Sequence, residues 1–412
     1  MACPFKGLTD ITRRNFFTAA GGVGLAAVAG AGLGFGLGPA ARLFERNPRG
    51  AEKFYGAHQA GIVTPQQSHS YFAAFDLTTD KRDEVVSLLK DWTEAAAQMT
   101  QGKSVAGDGG DARGLLPSRL TATFGFGAGL FSKDGSDRYG LAARRPATFV
   151  DLPKFAGDQL IMEKSGGDLS VQACANDPQV AFHAIRQFAR IAGERAHIRW
   201  AQTGFLSGGN DGETPRNLMG FKDGTQQPKD HDKFVWVGNE GPDWMQGGTY
   251  LVARRIRIAL EHWDSMDVAA QEEIIGRKKI SGAPLTGRNE FDALDLNATD
   301  KDGNYIIPEN AHVRLGNAAA NGGAEILRRG YSYNDGVNFI AERWPPWRQR
   351  IEYDAGLHFI SYQRDPKTFI KMFDRMAKQD ALNQFTTHNG SAIFACPGGA
   401  RAGEFIGQRL FV

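Results

Sequence analysis

The sequence predicts an α+β protein built from tandem ferredoxin-like domains, each an antiparallel sheet with helices on one face. An internal repeat is the first reason. Laid over itself with Leu169 on Leu357, the chain sets the strand-like run Leu169–Cys174 over Leu357–Tyr362, Asp177-Pro178 over Asp365-Pro366, and Ala189 over Ala377. In both copies an Asp N-cap followed by Pro at the first helical position starts a helix. The second reason is the order of patterns, since each half reads strand, helix, strand, then strand, helix, strand.

Taken in order, Ser70–Leu77 is strand-like, and Val85, Leu88, Leu89, Trp92 and Met99 then recur at helical spacing. After Asp177-Pro178 a helix is expected to bury Phe182, Ile185 and Ala189, and His197–Phe205 returns as a strand. The second half opens with the Ile- and Val-rich run Tyr250–Ile258 and a helix over Val268–Ile275 that Gly276 closes. After Asp365-Pro366 the buried face is Ile370, Phe373 and Ala377, and Ser391–Cys396 is the last strand. The expected segments are a leader and connector at 1–50, an N-terminal domain at 51–215 and a C-terminal domain at 216–412. Two polar inserts, Gly102–Leu116 and Ser281–Pro308, are expected to be surface loops or a segment covering a cofactor.

The N-terminus carries its own signal. Thr12-Arg13-Arg14-Asn15-Phe16-Phe17 opens a stretch from Asn15 to Ala41 that contains no charged residue and many glycines. This is the pattern of a twin-arginine leader, and Gly-rich segments insert weakly as permanent anchors, so no stable membrane span is expected once the leader is removed. The mature chain is expected outside the cytoplasmic membrane, in the periplasm or its equivalent. Cys3 belongs to the leader, and Cys174 and Cys396 each lie in an apolar strand-like run, which suits buried free thiols better than a disulfide.

Composition narrows the classes further. With 412 residues, 42% apolar and 23% charged, the chain has the balance of an ordinary globular protein. Lys+Arg number 48 against Asp+Glu 46, intermixed along the chain, so nucleic acid is not an expected partner. The nine histidines are isolated, His58 and His69 being the closest pair, and the clusters a copper oxidase requires are missing. The seven Trp and nine Tyr are better explained as core than as an electron relay.

Three short stretches carry the chemistry: Gly220-Phe221-Lys222-Asp223-Gly224-Thr225, His312 within Ala311-His312-Val313-Arg314, and Ile326-Leu327-Arg328-Arg329-Gly330. Singly, an Asp-Gly turn, a lone histidine and an arginine pair support no function. Together they offer a carboxylate, an imidazole and a guanidinium, the set with which a haem iron cleaves a peroxide.

In order and flanking residues these stretches resemble the dye-decolourising peroxidase family, and in particular its exported deferrochelatase/peroxidase branch from bacterial iron-uptake systems. The likeness extends through Leu327-Arg328-Arg329-Gly330-Tyr331-Ser332-Tyr333 to Gly390-Ser391-Ala392-Ile393-Phe394-Ala395 and covers essentially the whole chain after the leader. It implies haem b in the second domain, with His312 as axial ligand to the iron, Asp223 as distal carboxylate and Arg328 as distal guanidinium. Gly224, Thr225, Gln226 and Asn317 would lie against the porphyrin. Two departures stand out. Asn317-Ala318-Ala319 replaces a more basic run, leaving Arg314 as the substitute contact to a haem propionate, and Gly330 stands where another branch has a distal Asn.

The resemblance implies a peroxidase that uses hydrogen peroxide to oxidise aromatic donors or ferrous iron, with release of iron from intact haem as a second activity. Iron-uptake proteins would be partners, and a homo-oligomer is compatible with the sequence. The alternative from another class is a non-catalytic extracytoplasmic haem or iron carrier. Burial is expected to raise the Asp223 pKa against the pull of Arg328, giving an acidic optimum. An axial histidine usually gives its second ring proton to a carboxylate, and Asp374 and Asp380 are both candidates.

Overall fold

Strand and helix patterning produces the expected elements, now in a computed structural model that describes residues 50–207, 213–341 and 349–412. The leader, its arginines and Cys3 lie outside the described residues. The first half runs β1 (His69–Leu77), α1 (Arg82–Met99), β2 (Thr121–Phe126), the short α2 (Ala128–Phe131), β3 (Leu169–Ala175), α3 (Pro178–Ala192) and β4 (Ala196–Phe205). After the short α4 (His231–Phe234) come β5 (Thr249–Ile258), α5 (Leu260–Asp264), α6 (Val268–Ile275), α7 (His312–Gly316), β6 (Leu327–Arg328), β7 (Tyr331–Ala341), β8 (Gln349–Gln363), α8 (Pro366–Gln379) and β9 (Thr386–Cys396).

The repeat is real at the level of capping. Asp177 accepts hydrogen bonds from the amides of Gln179 and Val180, Asp365 accepts one from Lys367, and each is followed by Pro in the first turn. Gly276 ends α6 in the left-handed region at φ +86°, which costs glycine nothing. Val85, Leu88, Leu89, Trp92 and Met99 are all buried along α1. Phe182 is a correction, because it is 44% exposed and rests on Tyr71 with ring centroids 5.5 Å apart, while Phe188 fills the core beside Trp92 and Phe124.

Each half has the strand order of a ferredoxin-like sheet, β4-β1-β3-β2 in the first and β9-β5-β8-β7 in the second. The two sheets are not separate. They join edge to edge, β2 to β9 at Phe126 and Ala395, and β4 to β7 at Phe205 and Ser332. Because β5 also pairs with β8, the nine-stranded sheet closes on itself. Closure removes the unpaired edges that two free sheets would expose.

The period of two along each strand then separates inside from outside. Phe72, Ala74, Leu251, Ala253, Ile360, Tyr362, Phe394 and Cys396 form one cluster within the ring. Their neighbours Ala73, Phe75, Val171, Ala173, Val252, Ile393 and Ala395 face outward into a second cluster that receives α1, α3 and α8. Both Cys174 and Cys396 are buried free thiols. No helix among the described residues is long and apolar enough to cross a membrane.

The β4–β7 seam depends on a close approach at Gly204, where an added Cβ would stand 2.5 Å from the Tyr331 Cβ. Gly204→Val is therefore expected to wedge the seam and cost about 1–3 kcal/mol of stability, measured as a lower urea midpoint at unchanged slope.

Candidate active site

Asp223 follows a tight hairpin. Arg216 and Lys222 bridge across it, the Asn217 amide donates to the Phe221 carbonyl at 2.9 Å, and the Asp223 amide closes onto Pro215 at 2.8 Å. The next residue must turn sharply, and Gly224 does so at φ +119°, a conformation that a side chain would strain.

Arg328 comes from β6, whose two residues pair with Tyr362 and Ser361 of β8. Its backbone is gripped on both sides by the Gln227 amide, which donates to the Arg328 carbonyl at 2.8 Å and accepts from its N–H at 2.9 Å. From that anchor Nη1 reaches Asp223 Oδ1 at 3.0 Å and Nη2 donates to the Gln226 carbonyl at 3.2 Å. The adjacent Arg329 points the other way, into the core, where it donates to Gln67 and to the Thr64 carbonyl. Strand alternation thus selects one of the two arginines for the site.

His312 opens α7, and its Nδ1 lies 2.6 Å from Asp380 Oδ2. Asp380 is buried at the end of α8, and its other oxygen accepts from the Leu382 amide at 2.9 Å. Asp374 is occupied elsewhere, accepting from Lys378 at 2.7 Å on the surface. The choice left open by the sequence falls on Asp380. Burial works against a charged imidazole, but the charge and hydrogen bond of Asp380 prevail and raise the His312 pKa; Arg328 opposes that rise and Asp223 adds to it. His312, Arg328 and Asp223 therefore share one electrostatic neighbourhood.

The geometry leaves a reactive face. His312 Nε2 has no hydrogen-bond partner among the described residues, and 34% of the side chain borders open space although the ring lies deep in the protein. The Asp223 and Arg328 side chains are each 31% exposed. The apolar burial expected for Asp223 is not found, because the carboxylate is ion-paired and partly open. An imidazole whose Nε2 has no hydrogen-bond partner among the described residues, within electrostatic reach of a carboxylate–guanidinium pair, is a donor set that suits an iron macrocycle.

The remaining expected residues have mixed surroundings. The Thr225 hydroxyl turns to Glu290 Oε1 at 3.0 Å, and Asn317 Oδ1 accepts from the Ala319 amide at 2.8 Å. Arg314 is largely committed: Nε donates to the Ile307 and Pro308 carbonyls, Nη2 to Leu296 and Ile307, and the guanidinium lies over Tyr305. As a substitute propionate contact it has only Nη1 without such a bond, since the rest of the guanidinium holds the insert. Gln227 and Glu290 were invisible to the sequence reading, because neither sits in a motif and their partners are distant in sequence.

Comparison with known proteins identifies the family. The family model for the Dyp-type peroxidase N-terminal domain matches residues 59–206, and that for the C-terminal domain matches 214–401. The chain belongs to the Dyp-type peroxidase family and is a peroxidase. It is 38% identical to the dye-decolorizing peroxidase of Thermobifida fusca over 97% of both chains. It is 34% identical to the deferrochelatase of Yersinia pseudotuberculosis over 87% of this chain and 84% of that one. Among solved structures it is similar to an oxyferrous complex of DtpA from Streptomyces lividans, with 40% identity, a TM-score of 0.82, and coverage of 91% of this chain and 100% of that chain.

The His312–Asp380 pair has a pH signature. With the folded pKa above the unfolded value of 6.5, its contribution to the haem-free protein is complete below about pH 6.5 and is lost as pH rises through the folded value. Asp380→Asn is expected to flatten that part of the stability profile, measured by urea unfolding at a series of pH values.

Proposed function

We propose that this chain is a haem b peroxidase that reduces hydrogen peroxide at the expense of aromatic donors or ferrous iron. The observation that carries the reading is that the Asp380-held His312 and the Asp223–Arg328 ion pair lie close enough for both charges of the pair to act on the imidazole. Haem, when bound, supplies an iron that coordinates peroxide and stores the oxidising equivalents. The overall reaction converts one peroxide to two waters while two donors each give up one electron, with two protons consumed.

His312 would hold the iron through Nε2, with Nδ1–H given to Asp380 so that the Nε2 lone pair is free for it. The carboxylate makes the imidazole a stronger donor. Asp223 is the distal base, taking the proton from one peroxide oxygen and returning it to the other. Arg328 orients Asp223 through their 3.0 Å contact and offers its guanidinium to the negative charge that builds on the departing oxygen. Gly224, Thr225, Gln226, Asn317 and Arg314 would be the residues that hold the macrocycle. A non-catalytic haem carrier would need neither Asp223 nor Arg328, so their pairing favours catalysis. The likeness to the Yersinia deferrochelatase supports a second activity, release of iron with the porphyrin intact.

The wider reading keeps a leader and connector at 1–50, followed by halves at 51–215 and 216–412. The leader would send the protein out of the cytoplasm by the twin-arginine route. Iron-uptake proteins would be its partners there.

Two substitutions test the roles. Asp223→Asn is expected to keep haem and its spectrum while kcat/KM for peroxide falls about 100-fold or more; a rate and pH profile like the parent's would exclude the base. His312→Ala is expected to lose haem or shift its absorption, and full loading with an unaltered spectrum would exclude the ligand.

A further inference from the structure

We propose that Glu290 is a positioning residue for the peroxide site, its carboxylate clamping the 214–225 segment so that Asp223 is held against Arg328. The proposal rests on the assignment of Asp223 as distal base.

Glu290 lies in the polar insert between α6 and α7, nearly 80 residues of sequence away from the segment it holds at Thr214. Its side chain is 9% exposed and collects three donors. Oε1 accepts from the Thr214 and Thr225 hydroxyls, and Oε2 accepts from Lys222 Nζ at 2.6 Å. Those donors come from both arms of the hairpin, Thr214 before Asp223 and Lys222 and Thr225 on either side of it. The hairpin does not need Glu290 to form, since its own backbone bonds close the turn. What they leave unfixed is the placement of the whole turn relative to β6.

Asp223 itself contributes little to that placement. Its side chain makes one recorded contact, to Arg328, so its position is inherited from the backbone on both sides. The Glu290 end of the clamp is in turn anchored. Arg277 Nη1 donates to the Glu290 carbonyl at 2.9 Å and to the Gly282 carbonyl at 2.7 Å, and the Arg277 side chain is buried. At Gly282 an added Cβ would meet Lys222 Cδ at 2.8 Å and Glu290 Cγ at 3.3 Å, so insert and hairpin are in close contact there.

The charges agree with the geometry. Burial favours a neutral Glu290, but the hydrogen bonds of Lys222, Thr214 and Thr225 and the charge of Lys222 outweigh it and hold the carboxyl below its ordinary pKa. Arg277 feels Glu290 as an attraction and Arg328 as a repulsion, which places the ionised Glu290 among the cations that surround the site. A displacement of about 1 Å in a catalytic group is enough to cost on the order of 100-fold in rate.

The test uses the haem-loaded full chain and its haem-free form. In the loaded enzyme Glu290→Gln is expected to retain the parent absorption spectrum and the KM for an aromatic dye, while kcat/KM for hydrogen peroxide falls about 10- to 100-fold. Lys222→Met leaves the two threonine bonds in place and is expected to give a smaller loss, and the double variant is expected to be no slower than Glu290→Gln alone, because both act through one clamp. In the haem-free form, amide hydrogen exchange in the 216–226 segment should rise in Glu290→Gln while the sheet stays protected. Parent-like peroxide kinetics and exchange in Glu290→Gln, or losses that multiply in the double variant, would overturn the proposal. If Asp223→Asn alone kept the full peroxide rate, the base assignment would fail instead, a result that the exchange measurement separates from failure of the clamp.

Discussion

The site depends on what borders β8. On one side β8 pairs with β5 and on the other with β7 and β6, so it is one of the strands that close the ring. Its pairing with β6 fixes the backbone from which Arg328 reaches Asp223, and its continuation through Asp365-Pro366 into α8 delivers Asp380 to His312. One strand therefore positions both Arg328, which holds Asp223, and Asp380, which holds His312. A sheet left open at β5–β8 would allow these anchors to shift independently, and catalysis by positioned groups does not tolerate that.

The fold was legible where the signal is local. The Asp-Pro starts, the apolar face of α1, the Gly276 stop and the repeated order of strand and helix are all set by residues within a few positions of one another, and each appears as expected. The joining of the two sheets was not legible. Among the described residues one ladder pair marks each seam, Phe126 with Ala395 and Phe205 with Ser332, and such long-range edge pairing leaves no periodic trace in the sequence. Phe182 shows the same limit on a smaller scale: it has the right residue type for the core, but its place on α3 leaves it beside Tyr71 at the surface.

For the site, the motifs located Asp223, His312 and Arg328, and the structure brings all three into one neighbourhood. The groups that support them were hidden. Asp380 could not be separated from Asp374 by sequence, because a difference of position at the end of α8 decides which is buried against the imidazole and which faces Lys378 in solvent. Gln227 and Glu290 act on residues far along the chain or through backbone atoms, and neither residue type is diagnostic on its own.

The distribution of charge separates framework from reaction centre. Arg254 and Asp158 form a fully buried pair, and Arg255 is held by Asp335 and Asp354 at 2.7 and 2.9 Å, so these cations have fixed partners and little access to solvent. Burial and the Arg255 charge also drive the His358 pKa down to about 3, keeping that imidazole neutral inside the ring. At the reaction centre the opposite holds. The side chains of His312, Asp223 and Arg328 all remain partly exposed. A framework made rigid by buried ion pairs can hold partly exposed groups in place until a cofactor and a substrate complete them, because the ordering cost has already been met in folding.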